Sequence, residues 1–233
     1  MVSKQMVTTK PRSLALVVGL LAGLLGSPVR AQGGSPGSPG LPSLDSPELA
    51  QGRYASMHML LQKTLLKIDV ANIDVRVDKQ AQARFAGLAR DKPYSYELDA
   101  QLGPIAIGAA RAVVQMQFVR DVPLNRWIGV VRDNLEQARE AGLITKDVEQ
   151  RVGQGLPTWF AALKDRGYQK GDKLLYAVSP DALRTVVVST GGQVLVDLSQ
   201  REAGASRVVL ASYFAPKSDF REPLLRSLLE TKR

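Results

Sequence analysis

Few side chains in this protein could do chemistry, and what is missing narrows the reactions first. The chain has no cysteine and a single histidine, His58. That removes disulfides, thiolate metal sites, cysteine nucleophiles and a histidine-rich metal cluster. A Ser-His-Asp triad would have to use His58, and no G-x-S-x-G step or equivalent accompanies it. Asp69 lies inside an apolar run, between Ile68 and Val70. A carboxylate buried there needs a partner, and Lys67 or Arg111 could supply one. Two readings stay open for Asp69: a solvent-facing or ion-paired strand residue, or a polar group at the floor of a ligand cleft. Asp121 is placed to cap the helix that follows it. Trp127, Trp159, Phe160 and Tyr213 fall on inward-facing stripes and read as core. Gly33-Gly34 and Gly191-Gly192 match no phosphate-binding loop, so neither a nucleotide cofactor nor a metal is expected.

The elements that must position these residues are legible from their periodicity. Met57 to Val77 reads as a long strand pair in which period-two alternation slips near Asn72, the mark of a bulge or bend. Lys79 to Arg90 reads as a helix capped by Asp78. Tyr94 to Gly108 reads as a second helix interrupted by Pro104, and Ala112 to Val119 as a strand. Pro123 to Ala141 has the clearest helical spacing, with Pro123 in its first turn and Gly142 ending it. A further helix opens at Thr145 and runs to about Lys164. Three β runs follow, Lys173–Val178, Leu183–Val188 and Gln193–Leu198, the last two joined at Gly191-Gly192. Arg207–Phe214 and Phe220–Glu230 close the chain as helices. Hairpin-linked strands with helices between them predict an α+β fold, one antiparallel sheet with helices packed on one face.

Residues 1–31 have the order of a secretory signal peptide. Lys4, Lys10 and Arg12 precede an uninterrupted run of apolar and glycine residues, Leu14 to Leu25, and a Val29-Arg30-Ala31 step follows. The run is far shorter than the roughly 20 residues of a membrane-spanning helix, so no permanent anchor is expected and cleavage is placed near Ala31. The absence of a twin arginine favours export of an unfolded chain. Residues 32–51 are rich in Gly, Ser and Pro and read as a disordered tether, leaving 52–233 as the folded domain, with folding starting near Tyr54. Four of the 31 basic residues lie in the leader. The rest of the chain, with 27 bases against 22 acids, carries +5 without a basic run, which argues against a nucleic-acid partner. The expected location is the periplasm or the exterior.

Four segments, in this order and spacing, resemble the chalcone isomerase-like family in its exported bacterial branch. They are Leu60–Val77 (LLQKTLLKIDVANIDVRV), Phe118–Leu135 (FVRDVPLNRWIGVVRDNL), the Lys170–Val178 and Thr185–Val196 pair (KGDKLLYAV, TVVVSTGGQVLV), and Val208–Leu229 (VVLASYFAPKSDFREPLLRSLL). The resemblance covers roughly Gly52 to Leu229. The resemblance implies an open-faced sandwich, and its best-known reaction is an intramolecular lyase step that closes a chalcone to a flavanone. A guanidinium there holds the developing enolate while hydroxyl and amide side chains position the rings or water. By position, the guanidinium falls on Met57, the strand threonine on Asp69 and the catalytic tyrosine on Trp127. The amide is kept as Asn134 and the helix hydroxyl as Ser212. Loss of one preorganised oxyanion partner lowers a rate by about 100- to 1000-fold. The resemblance therefore implies a non-catalytic protein that binds a fatty acid or another small amphipathic ligand. The cleft would be lined by Met57, Asp69, Trp127, Asn134, Ser212 and Tyr213. The alternatives are an isomerase using Asp69, Asn134 or Ser212 on an unknown substrate, and a scaffold protein of the envelope.

Overall fold

The computed structural model describes residues 40–63, 68–201 and 204–230. The expected signal peptide, the first part of the expected tether and Lys67 lie outside the described residues. Six antiparallel strands form one sheet in sequence order: β1 (Ser56–Lys63), β2 (Ile68–Val77), β3 (Ala112–Phe118), β4 (Lys173–Val178), β5 (Leu183–Val188) and β6 (Val194–Gln200). Every neighbour in the sheet is also a neighbour in sequence, so the sheet is a meander with helical excursions between β2, β3 and β4. This is the α+β architecture the pattern predicts.

Alternation decides which face is covered. Ala71, Ile73, Val75 and Val77 of β2 are buried, as are Val114, Met116 and Phe118 of β3 and Leu174, Tyr176 and Val178 of β4, all on one face in the observed register. The slip near Asn72 resolves as a register shift where Leu61 and Gln62 meet β2. Helices α1 (Lys79–Ala89), α2 (Tyr96–Ile107), α3 (Leu124–Glu140), α4 (Lys146–Trp159), α5 (Ala205–Phe214) and α6 (Arg221–Ser227) supply the covering layer. Asp78 caps α1, its Oδ1 accepting from Ala81 N at 2.9 Å, and its Oδ2 accepts from Arg111 N, which ties the helix start to the start of β3. Ser95 and Thr145 cap α2 and α4 in the same manner.

Several expectations shift. Asp121 does not cap α3. Its Oδ1 accepts from Lys170 N at 2.8 Å, and the cap position is Pro123, which has no side chain to offer. Helix α4 ends at Trp159 rather than near Lys164, with a 3₁₀ turn at Ala161–Leu163 beyond it. Pro157 inside α4 has no N–H for the Gly153 carbonyl. The Arg132 guanidinium of α3 takes that carbonyl instead, at 2.9 and 3.2 Å, which also pins α3 to α4. The folded chain begins before Tyr54. Ala50 N bonds Val77 O, the Arg76 guanidinium holds Leu44 O and the Gln51 side chain, and Leu49 and Ala50 are buried.

The β1 edge is closed by α6. His58 N donates to Ser227 Oγ at 2.9 Å, and the Arg53 guanidinium caps the end of that helix through the carbonyls of Leu228 and Leu229. Arg53, the nearest cation to Met57 in sequence, is thus engaged outside the helix–sheet interior. His58 itself is exposed.

Candidate functional site

A cleft of about 910 Å³ opens between the sheet and helices α3, α4 and α5. Its walls are largely apolar. Trp127 and Val131 of α3, Leu156 of α4, Val209 of α5, and Phe118 and Leu198 of the sheet face it. The exposed side chains of Leu60 and Val130 stand at its mouth. Such a volume lies within the range of roughly 300–1,000 Å³ typical of small-molecule sites.

Four of the six residues expected to line a cleft do so: Trp127, Asn134, Ser212 and Tyr213. The other two do not. Met57 is wholly buried between β1 and the helices, out of contact with the cleft. Alternation places Met57 on the covered face one pair closer to the α1–α2 side than Met59, which does reach the cleft. Asp69 is exposed at the end of β2, and its Oδ1 accepts from Gln62 Nε2 at 2.7 Å. Arg111, one of its expected partners, pairs with Glu48 at 2.8 Å. Asp69 is therefore the solvent-facing strand residue, not the floor of the cleft; the register shift after Leu61 turns the strand end outward.

The floor joins the expected Tyr213 to two polar groups that sequence reasoning passed over, Tyr176 and Thr185. Tyr176 of β4 lies directly opposite Thr185 of β5 on the covered face, with Tyr213 of α5 lining the same cavity. All three are more than nine-tenths buried or nearly so, at 9%, 3% and 6% exposure. None of their hydroxyls has a hydrogen-bond partner among the described residues. Behind this wall Tyr168 is completely buried, stacked on Phe118 with ring centroids 4.1 Å apart and tilted against Trp127 at 5.3 Å. Its hydroxyl is orphaned too. Burial pushes the phenols of Tyr168, Tyr176 and Tyr213 above their ordinary value, and their proximity adds to the shift at Tyr168 and Tyr176. All three stay neutral donors at any physiological pH.

The backbone fixes Tyr168 firmly. Gly167 adopts a φ of 64°, and a Cβ there would lie 2.6 Å from Val122 O, so only glycine fits. Tyr168 and Val122 then exchange both backbone hydrogen bonds, at 2.8 and 2.9 Å. The following turn is organised by Asp172, fully buried, which accepts from the Arg166 guanidinium, Gln169 N and Thr190 N.

Two more cleft residues carry unmet polar groups. Asn134, 8% exposed, makes no side-chain hydrogen bond among the described residues, and Gln137 Oε1 is buried without a partner. Ser212 differs: its Oγ donates to Val209 O at 2.8 Å, a helix-internal bond that uses its proton. The cations lining the cleft are Arg120 in the loop before α3, Arg126 in its first turn and Arg151 of α4; all three are exposed. Among the described residues no group of His, Asp and Glu could hold a metal ion, and no helix is long and apolar enough to cross a membrane.

A six-stranded antiparallel meander roofed by helices on one face, with an apolar cleft between the layers, is the chalcone isomerase-like fold. The crystal structure of a fatty-acid binding protein from Arabidopsis thaliana, of that fold, is similar to this chain with a TM-score of 0.52 and 13% sequence identity, over 81% of this chain and 90% of that one. At that identity the likeness establishes the architecture. No protein-family model matches the chain, and no curated protein is similar to it in sequence.

Proposed function

We propose that this is an exported, non-catalytic binding protein that holds a fatty acid or another small amphipathic molecule in the cleft between the sheet and α3–α5. The observation that carries the reading is the cleft itself, large and apolar, roofed by α3, α4 and α5. The similar plant structure is a fatty-acid binding protein, which supports the same ligand class. The exposed guanidinium groups of Arg120 and Arg126 suit an anionic head at the mouth, with the chain directed inward.

The site is poorly equipped for the family's lyase chemistry. A developing enolate needs a fixed positive charge beside it. The matched position holds the buried thioether of Met57, and the arginines that line the cleft, Arg120, Arg126 and Arg151, are all exposed. Export through residues 1–31 into the periplasm or medium is part of the proposal. Intact-mass analysis of the protein from its own compartment should give a chain beginning near Gln32; a full-length chain would contradict it.

Titration of the protein with saturated and unsaturated fatty acids, followed by displacement of a fluorescent fatty acid, tests the binding function. Micromolar dissociation constants are expected. Millimolar or weaker binding for every lipid would refute it.

A further inference from the structure

The cleft's inner end is not apolar, and its polarity is of one kind. Tyr176 and Thr185 sit side by side on adjacent strands, and Tyr213 faces the same space from α5. Each hydroxyl can donate one hydrogen bond and accept others, yet none is matched among the described residues. Asn134 lies unmatched on α3, facing the same cavity. These groups border the cavity and are not among the sealed orphan atoms, so a plain hydrocarbon would strip them of water without replacing it, and an occupant that offers acceptors is preferred.

No cation accompanies them. The guanidinium groups that line the cleft, those of Arg120, Arg126 and Arg151, are exposed, and the buried arginine of the helical layer, Arg221, is committed to Asp99 and to Phe214 O. A carboxylate driven to the floor would be desolvated without a counter-charge. An uncharged oxygen meets no such penalty and can accept from two or three of the hydroxyls at once.

We propose that Tyr176, Thr185 and Tyr213 form a subsite for an uncharged hydrogen-bond acceptor, a carbonyl or hydroxyl oxygen, at the buried end of the ligand. The natural ligand is then an oxygenated amphiphile, a hydroxy- or oxo-lipid, rather than an unsubstituted fatty acid. This inference rests on the lipid reading of the cleft. It adds which end of the molecule is recognised and by what chemistry.

The test compares matched pairs that share one carboxylate: saturated acids of roughly ten to sixteen carbons, a span suited to a cleft of this class, and their counterparts with a ketone one carbon from the far end. Affinities are measured by displacement of a fluorescent fatty acid. At the best-fitting length the oxo acid should bind about tenfold more tightly, the worth of one to two good hydrogen bonds. In the Tyr176→Phe/Tyr213→Phe variant that preference should vanish, the two members of each pair binding equally. Thr185→Val, which keeps the strand shape, should reduce the preference in the same direction, and circular dichroism melts confirm that both variants fold. Plain acids that bind as well as oxo acids at every length would overturn the subsite and leave the lipid reading standing. A preference that survives all three substitutions would overturn the assignment to these residues. If neither kind of acid binds below millimolar, the lipid reading itself fails.

Discussion

Two sets of polar side chains inside the protein follow opposite rules. Between α2, α5 and α6 each is paired. The Arg221 guanidinium bonds Asp99 through its side chain and its carbonyl and reaches Phe214 O at 3.0 Å; Tyr94 donates to the other Asp99 oxygen at 2.7 Å; Ser218 donates to Ser212 O; Ser227 donates to Leu224 O and accepts from His58 N. Around the cleft the hydroxyls of Tyr176, Thr185 and Tyr213, with Gln137 Oε1, are unmatched among the described residues, and behind the lining Tyr168 carries a fully buried orphan hydroxyl. A chain that satisfies one cluster so fully has no general shortage of partners. The first set locks helices together, and its partners come from the protein. The second borders empty space, and its partners must come from a molecule that enters. Unmet hydrogen-bonding capacity thus separates a site from a core more sharply than apolar lining does, since Phe85 and Leu102 in the core and Trp127 in the cleft are equally apolar.

That contrast can be broken by substitution, and the paired cluster should give the largest response. Arg221→Ala leaves the Asp99 carboxylate buried without its cation and should lower unfolding free energy by about 3–5 kcal/mol, read from urea denaturation. A loss under about 1 kcal/mol, the level of a surface pair, would mean the cluster is not structural. The unmatched set should respond with the opposite sign. Tyr168→Phe keeps the ring on Phe118 and removes an orphaned hydroxyl, so it should leave stability unchanged or raise it by about 1 kcal/mol. A clear destabilisation would show that the hydroxyl has a partner and that the contrast is false there.

A smaller effect follows from titration. The folded pKa of Tyr168, Tyr176 and Tyr213 lies above the unfolded value of about 10, because burial disfavours the phenolate. Between those two values the unfolded chain has released protons that the folded chain retains, so stability falls as pH rises. Thermal melts should be level below about pH 10 with respect to these groups and decline above it. Tyr168→Phe should make the decline shallower. The smallest effect belongs to Asp69→Asn. An exposed carboxylate bonded only to Gln62 should shift stability by no more than about 0.5 kcal/mol and leave ligand affinity untouched, whereas a loss of affinity would restore Asp69 to the site.

Much of the frame was legible before any coordinates. The helix starts at Asp78 and Thr145, the β4–β5–β6 meander with its turn at Gly191-Gly192, and Gly142 at φ 70° ending α3 all follow from local chemistry. Trp127, Asn134, Ser212 and Tyr213, expected at a cleft, border the cavity between the layers. Local pattern failed where a partner lies far along the chain. Asp121 looks like a cap, but Lys170 N claims it across 49 residues. Met57 and Met59 differ by one strand pair, and only the path of the helices above decides which one borders the cleft. Tyr176 reads as an ordinary inward strand residue, and Tyr168 sits in a turn with no periodicity at all. Nothing in a sequence marks a hydroxyl as unmatched, because that is a property of every neighbour together.

The most direct test of the central claim is native mass spectrometry of the protein isolated from its natural compartment without detergent. An added mass of a few hundred daltons, released on denaturation and identified as an amphiphile, is the predicted result. Only the bare polypeptide mass, with the cleft equally accessible to added fatty acid and to water, would contradict the account.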